Sequence, residues 1–382
     1  MLKLTWERVA AWRAARHHLD RRVPAGSMLM VASRLCGLHA QVLSSAELAA
    51  WARVEGLERG TVQRALWEER TLVKTWAMRG TLHLLPSGEL PLWHAALGTS
   101  RRYLRPAAWQ KNFGITMEEL DRLTEAIAAA LDGRVMTREE LVGEVARLTG
   151  SAAFGAKLAE NSWGTMLKPA AFAGHLCFGP SLGQRVRFTR PDTWLAAERR
   201  GESAVDPQAA TAEVTRRYLA ANGPATYRDL ARWWGGAGGI SNARKWIAAL
   251  GEEASPVEVE GSKAWMLASH AREVRDAATR RSVCLLPGFD QYVVSASCHA
   301  EHLMSGLRNR VYRPQGWISP VLLVNGRIEG TWRHEIQGSP VAVTIEPFHP
   351  PAAWVRRAAG QEAERLAAFL GGTLNLTWKR GA

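Results

Sequence analysis

The sequence predicts an α+β protein in which one pattern of elements occurs three times and a smaller α+β region follows. In each copy a helix opens on a Ser or Thr cap, a second helix follows, and two short apolar runs close the copy. The final region, residues 276–382, instead combines several extended runs with a single long helical stretch. The order of the elements therefore gives the fold class.

The first copy lies within residues 1–110. Ser44 and Glu47 have the spacing of a capping box, and Thr61 opens a second run with helical periodicity. The run "TLVKTWAMRGTLHLLP" then predicts two strands, with Gly80 supplying a positive φ in the turn between them. This copy therefore predicts a helix pair followed by a hairpin.

The second copy lies within residues 111–192. Thr137 and Glu140 repeat the capping-box spacing at the start of "TREELVGEVARL". A second helical run follows, and "HLCFGPSLGQRVRFTR" predicts a strand pair that turns at Gly183.

The third copy lies within residues 193–275. Thr226 and Asp229 occupy cap positions, "SNARKWIAAL" predicts the second helix, and "VEVEGSKAWML" predicts a hairpin turning at Gly261-Ser262. Helix, helix and a two-stranded wing is the plan of a winged helix, in which the second helix enters a DNA groove. Ordinary helix pairs and hairpins of an α+β chain are the alternative.

Residues 276–382 predict a C-terminal α+β domain. "VCLLPGFDQYVVS" suggests a buried strand followed by a loop, and Asn325-Gly326 is a strong type I′ turn signal inside "PVLLVNGRIEGTWR". A further strand, one helix and a closing strand complete the domain.

Composition favours a polyanionic partner. The 382 residues carry a formal net charge of +13 and a pI of about 10.2, a balance that suits nucleic acid. Basic composition that only aids solubility is the alternative.

The four cysteines and the apolar runs indicate where the protein is located and whether it binds a metal or a membrane. Cys36, Cys177, Cys284 and Cys298 show neither Cys-x-x-Cys nor zinc-finger spacing, which predicts free thiols and no metal site. No apolar run is long enough for a membrane span and the N-terminus is not a signal peptide. We therefore expect a cytoplasmic protein without cofactor or membrane association.

The segment "GLHAQ" contains the candidate catalytic residues, His39 and Gln41. Gly37 is suited to end a helix, so the residues after it should be extended or irregular. In an extended segment side chains two residues apart point to the same side, with Leu38 and Ala40 packed behind. An imidazole and an amide on one side can hold a water molecule, His39 accepting its proton and Gln41 orienting it.

That chemistry suits a reaction whose leaving group needs little help. An N7-alkylated purine already carries positive charge, so its glycosidic bond is weak. The transition state is oxocarbenium-like, and catalysis needs mainly a positioned nucleophile and a stabilising environment. A histidine that caps a carbonyl or fills a crevice is the ordinary alternative for His39.

Four segments resemble the AlkZ/YcaQ-like winged-helix DNA glycosylases: "GLHAQ", "TLVKTWAMRGTLHLLP", "LLPGFDQYV" and "VLLVNGRIEGTWR". The resemblance runs from about residue 28 to residue 350 and beyond. It implies three tandem winged helices around a concave, basic DNA channel. It also implies hydrolysis of N7-alkylguanine lesions in double-stranded DNA, including bulky adducts or crosslinks.

The usual motif of that family is Gln-x-Gln, whereas this chain has His39 and Gln41. The His-x-Gln form resembles a branch associated with resistance to bulky DNA-alkylating antibiotics, where the lesion would be a monoadduct. The stretch from Gly37 to Ser45 contains no lysine for a Schiff base, so a monofunctional glycosylase is expected.

The first wing, a basic run after it and the late hairpin carry the candidate DNA contacts. They are Lys74, Arg79, His83, Arg101, Arg102, Arg327, Trp332 and Arg333. A solvated surface position is the alternative for each charge, and a core position is the alternative for His83 and Trp332.

Two other functions compete with the glycosylase. A winged-helix transcription regulator would use the same folds, but it normally needs a dimerisation helix, and no heptad run is present. A drug-sequestering resistance protein would need little DNA affinity, which the basic charge argues against. We expect a monomer.

Overall fold

A computed structural model describes the chain in residues 1–99, 106–160, 164–201, 205–235, 239–296, 299–304, 307–336 and 338–379. Its helices are α1 Trp6–Arg16, α2 Met28–Arg34, α3 Leu43–Trp51, α4 Thr61–Trp67, α5 Leu90–Thr99, α6 Pro106–Phe113, α7 Met117–Ala130, α8 Arg138–Thr149, α9 Ala152–Glu160, α10 Lys168–Phe172, α11 Pro191–Trp194, α12 Pro207–Asn222, α13 Tyr227–Trp234, α14 Gly239–Ala248, α15 Ala271–Arg275, α16 Gln291–Ser295, α17 Ala300–Leu303, α18 Arg308–Val311 and α19 Ala353–Leu370. Its strands are β1 Leu2–Leu4, β2 Leu38–His39, β3 Leu72–Trp76, β4 Leu82–Pro86, β5 Met136–Thr137, β6 Cys177–Leu182, β7 Arg185–Thr189, β8 Ala254–Val259, β9 Ser262–Leu267, β10 Val283–Leu286, β11 Val321–Val324, β12 Arg327–Ile336, β13 Pro340–Pro347 and β14 Thr373–Trp378. The mixture of helices and mainly antiparallel strands confirms the α+β class.

The chain divides into two compact units. The first comprises residues 1–61, 215–233 and 243–382, and the second comprises residues 62–214 and 234–242. The first unit therefore collects segments from both ends of the chain.

A five-stranded sheet forms the centre of the first unit, with the strand order β10-β11-β12-β13-β14. Asn325 and Gly326 both have positive φ in the turn between β11 and β12, which confirms the predicted type I′ signal. Strands β13 and β14 are parallel, so they need the crossover helix α19, whose residues Val355, Ala359 and Leu366 pack into the core.

A second sheet of the first unit has the order β1-β8-β9. The hairpin of β8 and β9 was predicted, but Glu260 and Gly261 are its two positive-φ residues, one position before the predicted turn. Strand β1 adds to β8 in parallel, with Leu4 opposite Val259. Since β1 has only three residues, its sequence carries too little alternation to be recognised.

The second unit contains two of the predicted hairpins. Strands β3 and β4 are antiparallel, and Gly80 in their turn has a φ of 62°, as the sequence predicted. Strands β6 and β7 are also antiparallel, and β5 pairs with β7. The turn between β6 and β7 contains Gly183 with a φ of 59°, which confirms its predicted position.

The helix-start signals were confirmed in two of three places. Thr137 and Glu140 form a reciprocal capping box at the start of α8, and Thr226 with Asp229 does the same ahead of α13. The box predicted at Ser44 was wrong, because α3 begins at Leu43 with Val42 as its N-cap residue, two residues earlier than predicted. The loop predicted after β10 was also wrong in part, since it contains helix α16.

Candidate active site

The segment before His39 is fixed by the end of helix α2. The amide of Gly37 donates to the carbonyl of Ala32, and the amide of Cys36 donates to that of Ser33. These two bonds form a Schellman motif, in which Cys36 takes the left-handed position with a φ of 59°. Gly37 follows with a φ of 92°. The helix therefore ends where the sequence predicted, but two successive residues with positive φ, Cys36 and Gly37, form the stop.

His39 lies in strand β2 and Gln41 in the bend that precedes helix α3. The prediction of an extended or irregular segment therefore agrees with the structure, in which Leu38 and His39 are extended and Gln41 lies in a bend. His39 is only 6% exposed, whereas Gln41 is exposed. Leu38 and Ala40 are fully buried, as expected for residues that anchor the segment. The predicted convergence of the two polar side chains on one water molecule stays a prediction.

Phe289 covers one face of the imidazole of His39. The two ring centroids are 5.1 Å apart and the rings are nearly parallel, at 7°. Phe289 has a φ of 61°, a conformation that bulky residues rarely adopt. Strained backbone of this kind persists only where the surrounding structure holds it, and it is common at functional sites.

The turn that contains Phe289 is bonded directly to the candidate motif. The side-chain amide of Gln291, the first residue of α16, donates to the carbonyl of Gly37 over 2.6 Å. Gln291 is buried, so this bond is shielded from water. It fixes the backbone two residues ahead of His39.

Asp290 holds the same turn through a buried ion pair. Its two carboxylate oxygens accept hydrogen bonds of 2.7 and 2.8 Å from the guanidinium of Arg53, and both side chains are 0% exposed. One of these oxygens also accepts from the amide of Tyr292, which caps α16. Arg53 lies two residues after the end of α3, so the pair connects this end of α3 with the turn beside His39.

The segment "LLPGFDQYV" resembles the family, but none of its residues was predicted to lie at the site. Phe289, Asp290 and Gln291 all lie at the candidate motif in the structure, and Arg53 joins them. Phe289, Asp290 and Gln291 lie more than 200 residues after His39 in the sequence, whereas Arg53 lies close to it. Only the resemblance of the segment pointed to them.

The candidate contacts on the first hairpin have different environments. Lys74 is half-buried, its ammonium group lies 5.1 Å from the ring centre of Phe178, and burial lowers its pKa. Arg79, with a φ of 60°, donates to His83 over 3.2 Å. His83 is 0% exposed, so its predicted DNA contact was wrong, and the alternative of a core residue holds.

The late hairpin also needs a correction. Trp332 is 3% exposed and its indole N–H donates to the carbonyl of Leu286 over 2.8 Å, so the predicted stacking on a base was wrong. Arg327 donates to the carbonyl of His302, and Arg333 lies exposed near Glu346. Arg101 and Arg102 lie outside the described residues.

The described ranges contain neither a candidate metal site nor a candidate membrane span. There, no group of three or more His, Cys, Asp or Glu side chains has an arrangement that could hold a metal ion. Among the same residues, no helix is both long and apolar enough to cross a membrane. Cys36, Cys177 and Cys284 are buried free thiols.

Comparison with known proteins identifies the family. The family model of DNA glycosylase AlkZ-like proteins matches residues 32–369. The chain belongs to the AlkZ-like DNA glycosylase family. The match includes His39, Gln41 and the turn of Phe289, Asp290 and Gln291, so the candidate motif lies within the family region.

Two comparisons with individual proteins agree with the assignment to the AlkZ-like family. The chain is 37% identical over 368 residues to an interstrand DNA cross-link repair glycosylase of Streptomyces sahachiroi, covering 96% of each protein. The solved structure of Streptomyces sahachiroi DNA glycosylase AlkZ matches with a TM-score of 0.87 and 36% identity, covering 99% of this chain and 100% of that one. This AlkZ-like chain is therefore a DNA glycosylase, which sets aside the regulator and the drug-sequestering protein.

Proposed function

We propose that this glycosylase hydrolyses the N-glycosidic bond of N7-alkylguanine, with His39 and Gln41 positioning and activating the water. The observation that carries the proposal is that contacts from a distant turn hold His39 in place. Its ring lies against Phe289, and its strand is bonded through Gly37 to Gln291. Backbone strain of the kind seen at Phe289 clusters at functional sites, which favours a functional role for the imidazole that Phe289 covers.

Each group has a defined part in the reaction. The alkylated guanine leaves as a neutral base, because it carries a positive charge before the bond breaks. His39 in its neutral form accepts a proton from the water, and the amide of Gln41 orients the water toward C1′. Burial of His39 lowers the local dielectric constant and strengthens these interactions.

We propose bulky N7-guanine monoadducts as the substrate class and resistance to DNA-alkylating antibiotics as the role. The support is the histidine at position 39, where the family motif has glutamine. Interstrand crosslinks are the second candidate. The name of the Streptomyces sahachiroi relative, an interstrand DNA cross-link repair glycosylase, favours that candidate.

We also propose that residues 1–110, 111–192 and 193–275 form three winged helices along a basic DNA channel, with residues 276–382 as a fourth domain. The order of two helices and a hairpin supports this division. Lys74, Arg79, Arg327 and Arg333 remain proposed backbone contacts. We propose that the protein acts on duplex DNA as a monomer.

The proposed reaction predicts base release without strand cleavage. A duplex with one N7-methylguanine, incubated with the protein, should give free 7-methylguanine and an abasic site. Strand breaks should appear only after alkali, because no lysine in the motif can form a Schiff base. Mass spectrometry and denaturing gels measure both products. Binding of the duplex without base release would contradict the proposal.

Gln291 gives a second prediction. Gln291→Met keeps the volume of the side chain but removes the donor to Gly37, so we expect the maximal rate of base release to fall about 10- to 100-fold through misplacement of His39. The affinity for DNA should change little. Gln63→Met, which removes a side-chain acceptor of Trp67 on helix α4, is the matched control. Equal losses in both variants would contradict a positioning role for Gln291.

A further inference from the structure

A short hairpin beside the candidate site carries an exposed tryptophan. Tyr312 and Ile318 form a bridge across it, and the amide of Arg313 donates to the carbonyl of Trp317 over 2.8 Å. Its turn, Pro314–Gly316, contains two successive residues with positive φ, Gln315 at 59° and Gly316 at 79°. We call residues 312–318 the tryptophan hairpin.

Trp317 differs from the other tryptophans of the described ranges, because it alone is exposed, with 54% of its surface accessible. An indole exposes a large flat apolar surface, which is costly in water and is used in proteins to stack on other rings. Gln315, two residues before Trp317, has a left-handed backbone that residues other than glycine rarely adopt.

Trp317 also belongs to the same aromatic row as His39. The ring centroids of Trp317 and Phe289 are 5.2 Å apart at an angle of 51°, and Phe289 stacks on His39 at 5.1 Å. Gly288 permits this close approach, since a Cβ at that position would lie 2.9 Å from the carbonyl oxygen of Ile318. One phenyl ring therefore separates the exposed indole from the candidate catalytic imidazole.

The charge around the tryptophan hairpin suits DNA. Arg313 within it and Arg308 just before it are both exposed, and the guanidinium carbon of Arg308 lies 4.6 Å from the ring centre of Tyr312. An aromatic platform with neighbouring arginines is the combination that binds unstacked rings and phosphates in nucleic-acid sites.

We propose that Trp317 stacks on a flat aromatic ring of the damaged DNA and thereby holds the lesion beside His39. This inference rests on the proposed function. The ring has two possible sources, a nucleobase at the lesion or an aromatic substituent on N7 of the guanine. Stacking on either source uses the same exposed face of the indole.

The experiment compares three duplexes whose single guanine carries N7-methyl, N7-(cyclohexylmethyl) or N7-(2-naphthylmethyl) groups. For each, single-turnover base release against protein concentration gives a maximal rate and a half-saturating concentration. We expect Trp317→Ala to raise the half-saturating concentration about 10- to 100-fold. Trp317→Phe should keep the half-saturating concentration close to that of the wild type, because phenylalanine retains an aromatic ring. Trp378→Ala is the matched control, because it removes a tryptophan that lies under Arg356 at the end of β14.

The pattern across the duplexes separates the two sources of the ring. A loss confined to the naphthylmethyl duplex assigns the stacked ring to the adduct, and an equal loss on all three assigns it to a nucleobase. Unchanged half-saturating concentrations for Trp317→Ala on all three would overturn the inference. If the wild type releases no base, the proposed function fails, and anisotropy titrations of the same duplexes still decide the stacking.

Discussion

Replacement of His39 by alanine is expected to slow base release from N7-methylguanine DNA about 100- to 10,000-fold, the range that a positioned proton acceptor contributes. DNA affinity should change little, since His39 is only 6% exposed. Gln41→Ala should cost less, roughly 10- to 100-fold, because the amide orients the water without taking its proton. Single-turnover rates with saturating protein measure both effects on the maximal rate alone.

Two companion measurements distinguish proton acceptance from a role in packing. His39→Gln restores the Gln-x-Gln form of the family and should keep part of the activity that alanine loses. Thermal unfolding of His39→Ala then shows how much of its loss of activity comes from altered packing. A His39→Ala protein with the wild-type rate and an intact thermal transition would refute the assignment.

Local patterns predicted those parts of the fold that depend on neighbouring residues. Thr137 with Glu140 and Asn325-Gly326 are such cases, because a capping box or a type I′ turn needs only two to four residues. The extended conformation at His39 was predicted for the same reason. Gly37 supplied the signal, although Cys36 takes the left-handed position of the Schellman motif.

The support of the site depends on contacts between distant segments, and no local pattern contains them. Gln291 bonds to Gly37 across 254 residues, and Asp290 pairs with Arg53 across 237. The positive φ of Phe289 contradicts its local preference, so tertiary contacts must impose it. The prediction for Trp332 was wrong for a related reason. The burial of its side chain depends on the register of β12 in the five-stranded sheet, which no local pattern contains.

The second large effect concerns the buried pair of Arg53 and Asp290. Asp290→Asn should lower the free energy of unfolding by about 3–5 kcal/mol, because it leaves the guanidinium buried without a counter-charge. Asparagine is a good N-cap residue, so the bond to the amide of Tyr292 is kept. Asp290→Ala loses the cap as well and should cost roughly 1 kcal/mol more.

The control is Asp192→Asn in the second unit. Asp192 also pairs with an arginine through two bonds, to Arg190 over 2.7 and 2.6 Å, but half of its side-chain surface is exposed. Solvent screens such a pair, so this variant should lose at most about 1 kcal/mol. Thermal and urea unfolding, followed for each variant under the same conditions, compare the two pairs.

A double variant tests whether the isolated charge causes the loss. Arg53→Met with Asp290→Asn removes the cation and keeps the cap, so it should recover most of the stability that Asp290→Asn loses. Base release should recover with it, because Gln291 still donates to Gly37 and the turn again holds Phe289 against His39. An Asp290→Asn protein that unfolds like the wild type would mean that water reaches Arg53, and the turn would then need another source of rigidity.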